Sequence, residues 1–155
     1  MKCALEMNVA VVNAQNAEAL RRKEEAERIQ RQILAAKENA IRFCEEEIAK
    51  VIEETAKKGN RWCKVLLGSH YQMFDPFRKL GFVSRLKADG HVYANGEKSY
   101  RMVGEPMDLA TIIQYLESFC YKVIPVESWD YKTYMNGSQK SVRLEIHIPE
   151  SVPCL

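Results

Sequence analysis

The sequence has no long hydrophobic run, few glycines and prolines, and only three histidines. A membrane-spanning helix needs about 18 to 20 consecutive apolar residues. No segment approaches that length, so we expect no membrane insertion. Glu6 and Asn8 interrupt the only apolar start, which argues against a signal peptide. With 7 glycines, 5 prolines and 46% hydrophobic residues, the composition is typical of a folded chain. A net charge of +2 is too small to indicate nucleic-acid binding by itself.

Close pairs of metal-ligating residues are also missing. The five cysteines are widely separated, at Cys3, Cys44, Cys63, Cys120 and Cys154. No two cysteines have the C-x2-C spacing of a structural zinc site, and no two histidines have the H-x3-H spacing. An odd number of cysteines without an export signal predicts reduced thiols and a cytoplasmic location. We therefore expect no metal site and no cofactor.

A continuous helix is predicted from residue 17 to residue 58. This stretch contains no proline or glycine, and glutamates precede basic residues by four positions repeatedly, as at Glu18 and Arg22. Gly59 supplies the usual C-terminal stop, and Asn13 or Asn16 is the predicted N-cap.

Residues 3–11 fit either a strand or an N-terminal extension of this helix. Apolar and other residues alternate there, as in a strand, but Leu5, Val9 and Val12 also share one helical face. We favour helix, because a lone N-terminal strand would need a sheet edge to join.

The remaining sequence, residues 59–155, predicts alternating strands and helices. A strand is expected at 62–67, and a meander at 82–102 turns at Asp89-Gly90 and Asn95-Gly96. Pro106 is predicted to open a second helix. Strands follow at 122–126 and at 142–148, where apolar residues alternate. The fold class is α+β: a long N-terminal helix, residues 1–58, followed by a small, mostly antiparallel sheet domain with one further main helix.

The length of the helix predicts self-association. It would extend roughly 60 Å, whereas a domain of about one hundred residues is about 30–35 Å across. Large residues near its C-terminal end are expected to pack on the sheet: Leu34, Ile41, Cys44, Ile48, Val51 and Thr55. A thinner stripe at heptad-like steps is the predicted homo-oligomer interface, with a coiled-coil homodimer as the first hypothesis: Ala19, Ala26, Ile29, Ile33, Ala36 and Ala40. A solvated single helix and a helix kinked back on itself are the alternatives.

Catalytic chemistry is not favoured by any motif. Cys63 and either His70 or His91 are the residue types of a nucleophile and its base, but Cys63 stands in an apolar strand pattern typical of an inert thiol. The run Glu45 to Glu47 is typical of a solvated helix face. No glycine-rich phosphate loop occurs. We assign no catalytic residue, and we lean towards a non-enzymatic protein.

Two clusters of aromatic and basic residues are the predicted binding surfaces. One lies between strands, at Phe74, Phe77 and Arg78. The other surrounds the last hairpin, at Trp129, Tyr131, Lys132, Tyr134 and Lys140. Filling the core is the competing role for these aromatic side chains.

The run from Glu53 to Gly59 resembles a pattern in small phage- and prophage-encoded α+β proteins. In those proteins a charged helix ends in Ala-x-Lys-x-Gly before the first strand. A later helix leads into Tyr-Lys-Val, as it does here between Leu116 and Val123, and an alternating strand follows. The resemblance implies a phage-encoded viral protein located in the host cytoplasm. It carries over no catalytic or binding residue.

Together these features predict a homo-oligomeric factor that binds a protein partner, in phage assembly or host interference. The alternative is a nucleic-acid or nucleotide-binding protein. It would use the same aromatic residues with four cations: Arg101, Lys132, Lys140 and Arg143.

Overall fold

The computed structural model describes residues 1–70, 81–92, 94–96, 98–130 and 139–151. Its helices are α1 (Ala4–Phe43), α2 (Ala49–Lys57) and α3 (Leu109–Ser118), and a π-helical turn, Cys44–Ile48, joins α1 to α2. The strands are β1 (Trp62–His70), β2 (Phe82–Val92), β3 (Lys98–Asp108), β4 (Lys122–Asp130) and β5 (Gln139–His147). The predicted α+β class, with a long N-terminal helix, an antiparallel sheet and one further helix, is confirmed.

The chain divides into two compact units, Met1–Leu34 and Ala35–Leu155. The sequence-based division at residue 58 separates helix from sheet. The observed division falls inside α1 instead, because the C-terminal part of the helix contributes Phe43 and its neighbours to the core of the second unit.

Helix α1 begins at Ala4, so residues 3–11 are helical apart from Cys3 at the start. The backbone N–H of Cys3 donates to Glu6 Oε2 at 3.0 Å. A glutamate bonding back to the N-cap backbone is one half of a capping box. The predicted N-caps, Asn13 and Asn16, are wrong, because the helix is capped more than two turns earlier.

The C-terminal end of α2 lies just before Gly59, as predicted. Gly59 has a positive φ of 77°, and its N–H donates to Ala56 O at 3.0 Å. The N–H of Asn60 donates to Thr55 O at 3.1 Å. This pair of bonds is a Schellman motif, and glycine suits its left-handed residue because it has no Cβ.

The π-turn decides which side of the helix is buried. Phe43 and Ile48 are both buried, five residues apart, which is the spacing that a π-turn aligns. A uniform α-helix would align Ile48 with Leu34 and Ile41, as the sequence analysis assumed. The extra residue in the turn rotates the preceding helix by about 100° relative to the following one. Leu34 and Ile41 are consequently exposed, at 52% and 37%, and their predicted packing on the sheet is wrong.

The five strands form one antiparallel sheet in the order β3-β2-β1-β5-β4. One face packs against the π-turn, α2 and α3, and β5 contributes Val142, Leu144 and Ile146 to it, which are fully buried as predicted. Both edge strands contain a proline, Pro106 in β3 and Pro125 in β4. Edge strands tolerate proline because its missing N–H need not pair with a neighbour.

Two local predictions in this region are wrong. Pro106 does not open a helix but pairs with Ser84 within the sheet, and α3 begins at Leu109. Asp89-Gly90 is not a turn, because it lies inside β2 where the register with β3 shifts. The predicted turn at Asn95-Gly96 is confirmed, between β2 and β3, and Gly96 has a positive φ of 84°.

Close strand packing at a bulge in β1 requires a glycine. The pairing of β1 with β5 shifts between Leu66 and Gly68, and a Cβ on Gly68 would lie 1.8 Å from Ser84 O. That atom belongs to the backbone of a paired strand, so relieving the clash would require the two strands to separate.

We predict that Gly68→Ala lowers the free energy of unfolding by about 2–3 kcal/mol or more, because overpacking displaces the backbone. Gly59→Ala is the matched control. Its Cβ meets nothing within 4 Å, and its left-handed φ should cost only about 1 kcal/mol. Urea unfolding followed by circular dichroism measures both, and equal losses would contradict the close approach at Gly68.

Candidate binding surfaces

Two of the residues predicted to form the homo-oligomer interface are covered by the chain itself. Ala36 and Ala40 have no exposed surface, and Ala40 belongs to the core cluster. The π-turn is the reason, because it places their side of the helix in line with Ile48. These two positions are therefore not open to a second copy. The others lie in the first unit and are exposed or half-buried: Ala19, Ala26, Ile29 and Ile33.

A line of apolar side chains is exposed along the first part of α1. Every residue from 1 to 17 is exposed, and the exposed fractions of Leu5, Val9 and Val12 are 72%, 52% and 43%. Steps of four and three residues place these side chains on one side of the helix, and the same steps continue to Asn16 and Ala19. We call Leu5, Val9, Val12, Asn16 and Ala19 the N-terminal helix face.

Ion pairs follow this apolar stretch of the helix. Glu18 Oε1 lies 2.7 Å from Arg21 Nη2 and 3.2 Å from Arg22 Nε, and the second contact confirms the predicted pair. The hydrogen bond from Arg21 holds the pKa of Glu18 below its ordinary value. These side chains are exposed, and exposed pairs hold a helix only weakly.

The sheet face opposite the core is the second candidate surface. In β1, β5 and β4 alternate residues point away from the core, and the strand register places them in rows. Trp62, His147 and Lys122 form the first row, and the exposed fraction of Trp62 is 54%. We call the nine residues of this patch the open sheet face: Trp62, Lys64, Leu66, Lys122, Ile124, Val126, Arg143, Glu145 and His147.

The polar groups of the open sheet face contact one another. Lys64 Nζ lies 3.6 Å from Glu145 Oε1, and His147 Nε2 lies 3.8 Å from Glu145 Oε2. The rings of Trp62 and His147 stack with centroids 6.4 Å apart and an angle of 22° between their planes. Arg143 Nη1 donates to Ser141 Oγ at 3.4 Å. The face therefore combines a supported aromatic ring with cations.

This surface was not among those predicted from the sequence, although strand alternation was a signal for it. In a strand that faces the core at Cys63 and Val65, Trp62 and Lys64 must point to the other side. Of the alternative's four cations, Arg143 alone has a described side chain, and it belongs to the open sheet face.

Most of the predicted aromatic clusters lie outside the described residues. This applies to Phe74, Phe77, Arg78, Tyr131, Lys132 and Tyr134. The structure does pair the backbones of Trp129 and Lys140 across β4 and β5. Binding by these residues stays a prediction.

A mostly covered arginine ties the π-turn to the sheet. Arg85 Nη2 donates to Glu47 Oε1 at 3.1 Å, and its Nη1 lies 3.6 Å from Glu105 Oε2. Its guanidinium carbon also lies 5.1 Å from the centroid of the Phe43 ring. Two carboxylates and an aromatic face compensate a cation whose side chain is 19% exposed.

The acidic run in the π-turn thus contacts the sheet through Glu47 and α3 through Glu45. Tyr115 OH donates to Glu45 Oε1 at 3.1 Å. Loss of contact with water, and then this hydrogen bond, raise the pKa of Tyr115.

Neither Cys63 nor Cys44 has the surroundings of an activated nucleophile. Cys63 and His70 stand near opposite ends of β1, which separates their Cα atoms by about 20 Å at the rise of a strand. Partial burial raises the pKa of the Cys63 thiol, and a hydrogen bond with Thr55 opposes that shift. Activated cysteines have lowered pKa values instead. Burial, with the charge of Glu45, raises the pKa of Cys44 to about 12.

No protein-family model, curated protein or solved structure matches this chain. Within the described ranges, no three histidine, cysteine, aspartate or glutamate side chains are grouped so as to hold a metal ion. None of the helices described is both long and apolar enough to cross a membrane.

We predict that, of the four cysteines within the described residues, a maleimide modifies Cys3 first and Cys44 last in the native protein. Cys3 is exposed, whereas a pKa of about 12 leaves almost no Cys44 thiolate between pH 7 and pH 9. Mass spectrometry of peptides after timed labelling measures the rates, and labelling in urea is the control in which Cys44 becomes reactive. Faster labelling of Cys63 than of Cys3 would contradict an inert Cys63.

Proposed function

We propose that this chain is a non-enzymatic, homo-oligomeric factor that pairs through the N-terminal helix face and binds a protein partner. The exposed apolar line of Leu5, Val9 and Val12 is the observation that carries the proposal. A role in phage assembly or host interference, which the sequence resemblance implies, belongs to the same proposal.

A second copy is the occupant that this face fits best. In heptad notation Leu5, Val12 and Ala19 take d positions, and Val9 and Asn16 take a positions. These are the two positions that form the seam of a two-stranded coiled coil. An isolated helix gains little stability from its own hydrogen bonds in water. Burial of this apolar line against an identical helix supplies what the single helix lacks.

Charge complementarity supports a parallel pair. In the same heptad frame Arg22 is a g residue and Glu27 is the following e residue. In a parallel coil a g residue faces the next e residue of the other helix, where opposite charges attract. Both side chains are exposed, so both are open to a second copy.

Asn16 supports a defined register. An asparagine at an a position meets the asparagine of the other helix only when the two helices are parallel and aligned. Such a residue specifies the register and favours dimers, at a cost in stability.

Pairing would also strengthen the binding of a protein partner. A parallel dimer presents any binding surface of the chain twice, and two linked sites bind a repeated partner more tightly than one. This is the property expected of a factor that acts on assemblies with repeated subunits.

We predict that Val9→Asp weakens self-association about a hundredfold, because each pair would bury two carboxylates at an a position. Val11→Asp is the matched control. Val11 has nearly the same exposed fraction, 54%, but lies on another side of the helix. Sedimentation equilibrium over a range of concentrations measures both variants. A monomeric wild type, or equal weakening by both changes, would overturn pairing through this face.

Replacement of Asn16, the polar residue in the seam, should strengthen self-association, the opposite of the effect of Val9→Asp. We predict that Asn16→Val tightens self-association about tenfold or more and admits assemblies larger than a dimer, because it removes a buried amide and its register signal. Ala14→Val is the control, because Ala14 is exposed and takes an f position on the side of the helix away from the seam. Light scattering after size-exclusion chromatography reports the masses, and an unchanged association constant would argue against a parallel, aligned pair.

A further inference from the structure

We propose that the open sheet face binds single-stranded nucleic acid. Trp62 would stack against a base, and Lys64 and Lys122 would contact the phosphates. This site is separate from the N-terminal helix face and from the predicted hairpin cluster around Trp129.

The aromatic platform is positioned by its neighbours in the sheet. Trp62 pairs with His147 on β5, and the two rings stack at 6.4 Å. This support restricts the indole, while 54% of Trp62 stays exposed. A restricted and accessible ring is suited to stacking with a base, because little side-chain freedom is left to lose.

The charges around Trp62 complement a phosphate backbone. Lys64 lies two residues along the same strand, and Lys122 lies across two strand spacings, about 10 Å away. Both are exposed. Lys122 makes no ion pair with any residue that the structure describes. Both lysines can therefore reach the phosphates of a nucleic-acid strand whose base stacks on Trp62.

The single carboxylate on the face is compensated locally. Lys64 Nζ lies 3.6 Å from Glu145 Oε1, and the Glu145 side chain is only 28% exposed. The cations therefore exceed the anions on this face. Apolar residues, including Ile124, fill the rest of it.

The combination favours nucleic acid over an acidic peptide. A peptide would cover the indole only where it carries an apolar side chain, and a peptide of acidic residues alone would use the lysines and leave the ring unused. A single strand uses both features, since every base has a face to stack and every nucleotide carries a phosphate. Sheets with exposed aromatic residues bind single strands in this way, usually holding two or three bases.

The test is fluorescence anisotropy with end-labelled 12-nucleotide single strands, DNA and RNA, titrated with the full chain at 50 mM and 200 mM salt. We expect micromolar or tighter binding at low salt that weakens steeply at the higher salt, because phosphate contacts release counterions. Trp62→Ala should weaken binding about tenfold, from the loss of one stacked base. Trp62→Phe should recover most of that loss.

Charge variants test the phosphate contacts separately. Lys64→Gln and Lys122→Gln should each lower the slope of log affinity against log salt by about 0.7, the value for one phosphate contact on a single strand. Lys50→Gln is the matched control, an exposed lysine on α2, and should change nothing. Urea unfolding of each variant verifies that the fold is intact.

Three results would overturn the proposal. The first is no binding by the wild-type chain at 50 mM salt. The second is wild-type affinity in a folded Trp62→Ala variant. The third is equal affinity for a labelled polyglutamate peptide that competes for the same site, which would assign the face to an acidic protein partner. None of these results bears on self-association, because the open sheet face shares no residue with the N-terminal helix face.

Discussion

One extra residue in a helix turn determines how this chain is built. The π-turn at Cys44–Ile48 brings the buried side of α1 into line with the buried side of α2, so that a single stripe packs on the sheet. The turn is stabilised by Arg85, which bridges Glu47, Glu105 and the ring of Phe43. π-helical turns are rare in helices, and these contacts from the sheet hold this one in place.

The same turn explains where the sequence analysis succeeded and failed. The fold class, the helix stop at Gly59 and the alternation in β5 depend on local signals, and all three were predictable. The faces of α1 were not, because a period of 3.6 residues was assumed throughout. One inserted residue shifts the phase by about 100°, which exchanges the exposed Ile41 with the buried Ala40. Tertiary contacts of Arg85 and Tyr115 hold that phase, and such contacts leave no periodic signal in the sequence.

The open sheet face was partly predictable. Alternation shows that Trp62 and Lys64 share one side of β1, yet it does not identify the neighbouring strands. The pairing of β1 with β5 and of β5 with β4 is what places His147 beside Trp62 and Lys122 in the same row. These pairings join segments that are far apart in the sequence, so local alternation does not predict them. A residue such as His147 therefore reads as an ordinary surface histidine until the strand order is known.

The two proposed surfaces differ in what they require of the chain. Pairing along the N-terminal helix face depends mainly on apolar burial and on Asn16, with the exposed charges of Arg22 and Glu27 as a smaller contribution, so salt should weaken it only modestly. Binding to the open sheet face depends on cations, and salt should weaken it steeply. A dimer would carry two such faces, so a weak single-strand site gains avidity without any new contact. Self-association would then be the step that makes a modest sheet site effective at low ligand concentration.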